Sequence, residues 1–148
     1  MSAIPEPSKM ISTLIPALAR AHRKLAGTLL REVGLSPGQE LLLMQLWERE
    51  PRAQSELTRH LAVEPPTTAK MLARLERAGL VTRERLVSDR RNTLVFLTDD
   101  GRALESSVRA VWRELEKYTV QALTPQEQDQ FSTLLTRVID SLVAERRQ

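Results

Sequence analysis

The residues with the clearest chemical potential stand in the middle of the chain. One helix-compatible run carries Pro66, Thr67, Lys70, Arg74 and Arg77, and a segment beyond it carries Arg83, Arg85 and Ser88-Asp89-Arg90-Arg91-Asn92. Stepping about 100° per residue from Thr67, Pro66 and the three cations fall between about 260° and 340°, while Thr68, Met71, Leu72 and Leu75 fall between about 40° and 140°. One face is therefore core, and the other is a stripe of hydroxyl, ammonium and guanidinium donors. Thr68 belongs to the core side, so its hydroxyl is expected to be satisfied locally. Donors of this kind suit a polyanion: a helix of this diameter fits the major groove of B-DNA, where each base pair displays its own donor and acceptor pattern. Pro66, Thr67 and Lys70, near the helix N-terminus, would reach base edges, and the later cations would reach phosphates.

The second segment adds to the same chemistry. Arg83 and Arg85 lie two apart on a strand-like run, hence on one face. Arg90 and Arg91 sit at a polar tip, and a guanidinium is attracted into the enhanced negative potential of a narrow A·T-rich minor groove. Asp89 is the odd acid there; an Asp that accepts nearby backbone N–H groups holds a turn and aims its neighbours. From Arg52 to Arg91 the chain has nine Lys/Arg against five acids, a net +4, while the rest sums to −1. The positive excess is thus concentrated where these residues lie.

Other chemistries are poorly provided for. With no cysteine, disulfides, thiolate metal sites and thiol redox sensing are excluded. His22 and His60 stand on separate helical runs without metal-ligand spacing. Asp99-Asp100 reads as a helix start, and no Ser/His/Asp order, phosphate loop or glycine-rich fingerprint is present. No enzyme, cofactor or metal is expected. Aromatics make up 3% of the chain, which argues against a stacking platform for single strands. The N-terminal residues lack a signal-like apolar run, no later stretch approaches a membrane span, and the expected location is the cytoplasm.

Several elements must position these residues. Ile11, Leu14, Ile15, Leu18, Leu25 and Leu29 predict a long amphipathic helix over 8–33, which Pro16 either kinks or delays, and which Gly34 stops. Ser36-Pro37-Gly38-Gln39 reads as a capping box opening a helix to about Glu48, apolar nearly all round. A short helix over 54–61 precedes the helix that begins at Pro65 or Pro66 and ends before Gly79. Residues 80–87 and 93–98 form a hairpin around the basic tip. Thr98 caps a helix over 99–123, and Thr124-Pro125-Gln126-Glu127 is a capping box for the last helix, to about Glu145. Two apolar stripes, one from Ala103 to Tyr118 and one from Phe131 to Leu142, exceed what a small domain needs, which implies a homodimer.

These parts, in this order, resemble the MarR family of bacterial transcriptional regulators. The resemblance rests on Val63-Glu64-Pro65-Pro66-Thr67-Thr68, on Leu72-Ala73-Arg74-Leu75-Glu76-Arg77-Ala78-Gly79-Leu80-Val81, on Ser88-Asp89-Arg90-Arg91 and on Leu97-Thr98-Asp99-Asp100-Gly101. It implies a mainly α fold with a small β-hairpin wing (α+β), a winged helix-turn-helix over 36–100 with dimerisation helices over 8–33 and 102–148, all within one 1–148 unit. It further implies a homodimer that binds double-stranded DNA at a pseudo-palindromic operator, as repressor or activator, with repression the first reading. Asp89 would brace the wing, Arg91 would enter the minor groove, and a small phenolic or other aromatic effector would release the DNA. His22 and Trp47 are the residues placed near such an effector, and Ser55 joins the DNA-binding set at the start of the first short helix. Two departures stand out. Ala53 replaces the family's common Thr cap, so Gln54 or Ser55 must serve the free N–H groups, and Ser88 replaces the common Pro before Asp89. A winged helix used only for protein assembly would need neither the basic helix face nor the arginines at the tip.

Overall fold

The computed structural model describes residues 6–89 and 92–145. Arg90 and Arg91, both assigned to DNA from the sequence, lie outside the described residues. Contacts divide the chain into two compact units, one ending at Trp112 and the other beginning at Arg113.

The first unit opens with helix α1 (Ile11–Leu30), followed by a 3₁₀ turn over Arg31–Val33 that ends at Gly34. The helix starts at Ile11, three residues later than predicted, and runs through Pro16, which stands inside it and does not set its start. Near a helix start the missing N–H removes only one bond, so the apolar period prevails. Helix α2 (Gln39–Glu48) begins two residues later than the Ser36 cap predicted. Half of the expected box survives: the Ser36 N–H donates to Gln39 Oε1 at 2.9 Å. The helix cannot extend back to Pro37, because Gly38 adopts φ 100°, a conformation that side chains disfavour and a helix excludes. Leu42, Leu43 and Leu46 of α2 are fully buried and form the centre of the core.

Strand β1 (Arg52–Ala53), helix α3 (Gln54–Leu61), helix α4 (Pro65–Arg77) and strands β2 (Val81–Arg85) and β3 (Thr93–Leu97) follow. The hairpin is therefore part of a three-stranded antiparallel sheet, in the order β1-β3-β2. Arg52 faces Val95, and Val81 faces Leu97. Val95 and Leu97 point into the core, while Leu94 and Phe96 on the other face are half-buried. No side chain caps α3: Ala53 is its extended N-cap, and neither Gln54 nor Ser55 takes over, in contrast to the sequence expectation. Ala53 is instead held by pairing with Leu94.

Thr98 caps helix α5 (Asp99–Ala103), its hydroxyl accepting from the Gly101 N–H at 3.0 Å. The single helix predicted over 99–123 is divided at Leu104, after which α6 (Glu105–Val120) begins. Val108 and Val111 of α6 are buried. In the second unit the predicted box at Thr124 is complete. The Thr124 N–H donates to Glu127 Oε1 at 3.0 Å, and the Glu127 N–H donates to Thr124 Oγ1 at 3.2 Å, opening helix α7 (Pro125–Glu145). Among the described residues no helix is long and apolar enough to cross a membrane.

Candidate nucleic-acid interface

Helices α3 and α4 meet at a tight turn made by Ala62, whose φ of 53° ends α3. Pro65 and Pro66 occupy the first turn of α4, where their missing N–H groups cost nothing. The helix ends as its sequence specifies: Gly79 turns to φ 75°, and the Leu80 N–H reaches back to the Leu75 carbonyl at 3.0 Å. Thr68, Leu72 and Leu75 are buried, and Thr68 Oγ1 lies 2.9 Å from Thr58 Oγ1, so this hydroxyl locks α4 onto α3. The opposite face exposes Pro66, Thr67, Lys70, Arg74 and Arg77. The division of this helix into two faces is the one its sequence predicts.

The charge on these faces sorts into two groups. Arg52 is buried, giving Nε to the Gln45 carbonyl at 2.7 Å and its two terminal nitrogens to Glu56 at 2.9 Å and Glu48 at 3.2 Å. Glu56 also receives Arg49. Burial works to raise its carboxyl, but the hydrogen bonds and charges of Arg49 and Arg52 prevail and hold it below the ordinary range. Arg83 is engaged by Glu76 of α4 and lies 3.5 Å from Gln54 Oε1, so it joins β2 to both helices. Among the described residues Lys70, Arg74, Arg77 and Arg85 make no ion pair. Ser55 is exposed at the start of α3. The exposed His60 has Nε2 3.8 Å from Glu56.

The wing turn is stapled by its backbone. The Leu86 N–H donates to the Asn92 carbonyl at 3.1 Å, and the Asn92 N–H donates to the Asp89 carbonyl at 3.0 Å. The Asp89 carboxylate accepts from Asn92 Nδ2 at 3.4 Å. Where β3 enters α5, the wing is tied to the body by groups that the sequence pattern does not single out. Glu50 Oε2 accepts from the Leu97 N–H at 2.7 Å, and its Oε1 accepts from Arg102 Nε at 2.8 Å. Hydrogen bonding to Glu50 is the main reason that Arg102 titrates above its ordinary value.

A cavity of about 530 Å³ lies beside α4 within the first unit. Its walls include His22 and Arg23 of α1, Glu40 of α2 and Trp112 of α6, and α4 supplies Lys70 and Arg74. His22, half-buried, lines this cavity. Trp47 does not line this cavity; its Nε1 donates to the Gly101 carbonyl at 2.9 Å, 54 residues away. The ring that lines the cavity is that of Trp112. Burial pushes the Glu40 carboxyl up, opposed by hydrogen bonds from its own N–H and that of Gly38 and by the charge of Arg23. Among the described residues no cluster of three or more His, Asp or Glu could hold a metal ion.

The sequence profile of the MarR family matches residues 35–93. The chain is similar to the organic hydroperoxide resistance transcriptional regulator of Bacillus subtilis, with 35% identity over 62% of this chain and 63% of that protein. It therefore spans a little under two thirds of that relative's length. It is also similar to an HTH-type transcriptional repressor of Mycobacterium tuberculosis, with 32% identity over 74% of this chain and 78% of the relative. Among solved structures it resembles a mutant MarR from E. coli complexed with operator DNA. There the TM-score is 0.80 at 25% identity, covering 91% of this chain and 99% of that one.

Proposed function

The chain belongs to the MarR family, and from that premise we propose that it is a transcriptional repressor whose homodimer binds a pseudo-palindromic operator in double-stranded DNA. The observation that carries this reading is the outer face of α4, where Thr67, Lys70, Arg74 and Arg77 are exposed and the three cations have no acidic partner among the described residues. In the major groove Pro66, Thr67 and Lys70 face base edges, and Arg74 and Arg77 meet phosphates. Ser55 adds a hydroxyl to the backbone contacts, and Arg85 extends them along the wing. Arg90 meets phosphate and Arg91 enters the minor groove, with Asp89 holding the turn. Arg83, already held by Glu76, positions the wing against α4 more than it touches DNA.

The dimer is supported by apolar faces that the protomer leaves open. Ile11, Leu14, Ile15 and Leu18 of α1 are exposed, as are Leu134, Val138, Ile139 and Leu142 of α7. A second copy of the chain covers such faces economically and sets two recognition helices on successive major grooves. The effector site is the cavity beside α4. Lys70 and Arg74 line it and also belong to the DNA-facing stripe, so an aromatic anion that engages them there withdraws them from the operator.

Binding to genomic DNA fragments across a salt series tests the reading. Log affinity is expected to fall linearly with log salt, with a slope worth several phosphates. Lys70→Ala should change which fragments are preferred, and Arg91→Ala should weaken binding most where the flanks are A·T-rich. A flat salt response, or no retained fragment, refutes the proposal.

A further inference from the structure

Helix α1 carries no acid in its twenty residues, yet Arg20, Arg23 and Lys24 gather about its middle and Arg31 follows its end directly. All four are exposed, and among the described residues none forms an ion pair. The macrodipole favours a cation only in the last turn, which accounts for Arg31 alone, and the charge of Arg23 acts on the Glu40 carboxylate, so Arg20 and Lys24 are explained by neither. Stepping about 100° per residue from Ile11, the exposed apolar residues Ile11, Leu14, Ile15 and Leu18 fall between about −60° and 40°, and the four cations fall between about 120° and 220°. The cationic side is thus opposite the side offered to a second copy, and dimerisation leaves it open.

This side borders a groove of about 520 Å³ closed by the turn that joins α1 to α2. Pro37 of that turn lies against α1, within 3.2 Å of where a side chain at Gly27 would begin. The next residue, Gly38, stands equally near α4, with Met71 Sδ 3.5 Å from where its own side chain would begin. Arg23 then shares the walls of one cavity with Lys70 and Arg74. Cations of α4 and α1 thus face one space across the turn, with the Glu40 carboxylate also in its wall.

We infer that the row Arg20, Lys24 and Arg31 is a second contact for the DNA backbone, sequence-independent and lying beyond the bases read by α4. Arg20 and Arg31 are eleven residues apart, about 16 Å along the helix, which matches about five base pairs of duplex. A small anion could engage only one or two of these side chains, whereas a phosphate backbone presents charge along the whole length. The inference rests on the DNA-binding reading above, and it adds affinity and orientation without changing which operator is chosen.

The test uses the full chain and a labelled 30-bp duplex of random sequence, with binding followed by fluorescence anisotropy from low to moderate salt. The triple variant Arg20→Ala/Lys24→Ala/Arg31→Ala is compared with wild type. It is also compared with a charge-matched control, Arg113→Ala/Lys117→Ala/Arg137→Ala, whose changes lie in the second unit at exposed positions. Removing one cation–phosphate interaction lowers the magnitude of the log–log slope by about 0.9, and the dimer loses three from each protomer, so the α1 variant is expected to fall by roughly 5 and the control by almost nothing. Between 50 and 200 mM salt, each such removal also makes the drop in affinity about 3.5-fold smaller. Equal slopes in the α1 variant and the control overturn the inference. If slopes are equal and inorganic phosphate raises the melting temperature of wild type but not of the α1 variant, the groove is a small-anion site and the inference is likewise overturned. A wild-type protein that shows no salt-dependent binding instead refutes the underlying DNA-binding proposal, so the two failures are separable.

Discussion

Gly101→Ala sets two effects of opposite sign against each other. In an unencumbered helix the change is stabilising by about 1 kcal/mol, because glycine is the poorer helix former. Gly101 lies in α5 where the first turn meets the end of the α4–β2 connection, and a Cβ built there would stand 2.1 Å from the Leu80 carbonyl oxygen. Ordinary van der Waals approach begins near 3.4 Å, so α5 and Leu80 must separate by more than 1 Å. That displacement does not come free. The Gly101 N–H donates to Thr98 Oγ1 at 3.0 Å, and the Gly101 carbonyl accepts from Trp47 Nε1 at 2.9 Å. A shift of this size carries both beyond hydrogen-bond range, at about 1 kcal/mol each, and the overpacking adds about 1–3 kcal/mol. Set against the helical gain, the net loss is about 2–4 kcal/mol, which for a chain of this size lowers Tm by roughly 5–15 °C. Urea and thermal denaturation measure it directly. Gly79→Ala is the useful comparison: its φ is 75° but nothing lies within 4 Å of the added carbon, so only the left-handed strain of about 1–2 kcal/mol applies. If Gly101→Ala melts at or above wild type, the geometry of this junction is wrong and the reasoning fails with it.

Two neighbouring threonines give a sharper division of roles. Thr68→Val removes a buried hydroxyl 2.9 Å from Thr58 and should cost about 1 kcal/mol in urea denaturation while leaving the preferred DNA fragments unchanged. Thr67→Val, on the exposed face, should leave stability unchanged and shift fragment preference; the opposite pattern would reverse the assignment of faces. Glu40 carries a pH prediction. A carboxyl raised above its ordinary value of 4.5 binds its proton more tightly in the folded chain, so its contribution is present below 4.5 and lost as pH rises through the folded value. Glu40→Gln, neutral throughout, should match wild type near pH 4 and be the more stable of the two at pH 7. A Glu40→Gln protein that loses stability relative to wild type as pH rises would contradict the burial argument.

Much of this protein can be read from short-range pattern. The two faces of α4 follow from a period of 3.6 residues, which already puts Thr68 on the core side and Lys70, Arg74 and Arg77 outside. The caps at Thr98 and Thr124 follow from hydroxyl and carboxylate groups three residues from the N–H groups they satisfy. Such signals are local because the bonds that they predict are local. The assignments that changed depend on residues distant in sequence. Two residues, Arg52 and Ala53, cannot show a strand period, and they become a strand only because β3 presents an unpaired edge more than forty positions later. Arg83 looks like an outward cation until Glu76 folds beside it, and Arg52 counts toward a basic surface until two glutamates enclose it. Trp47 reads as an effector-site ring until Gly101 supplies an acceptor for its Nε1, and Trp112 is the tryptophan that lines the cavity. The sequence by itself determined which face of each helix is apolar and where the positive charge is concentrated, because periodicity and composition need no partner. Tertiary structure alone decided which of those charges remain open to a polyanion, because an ion pair or a hydrogen bond exists only once both of its ends have been brought together.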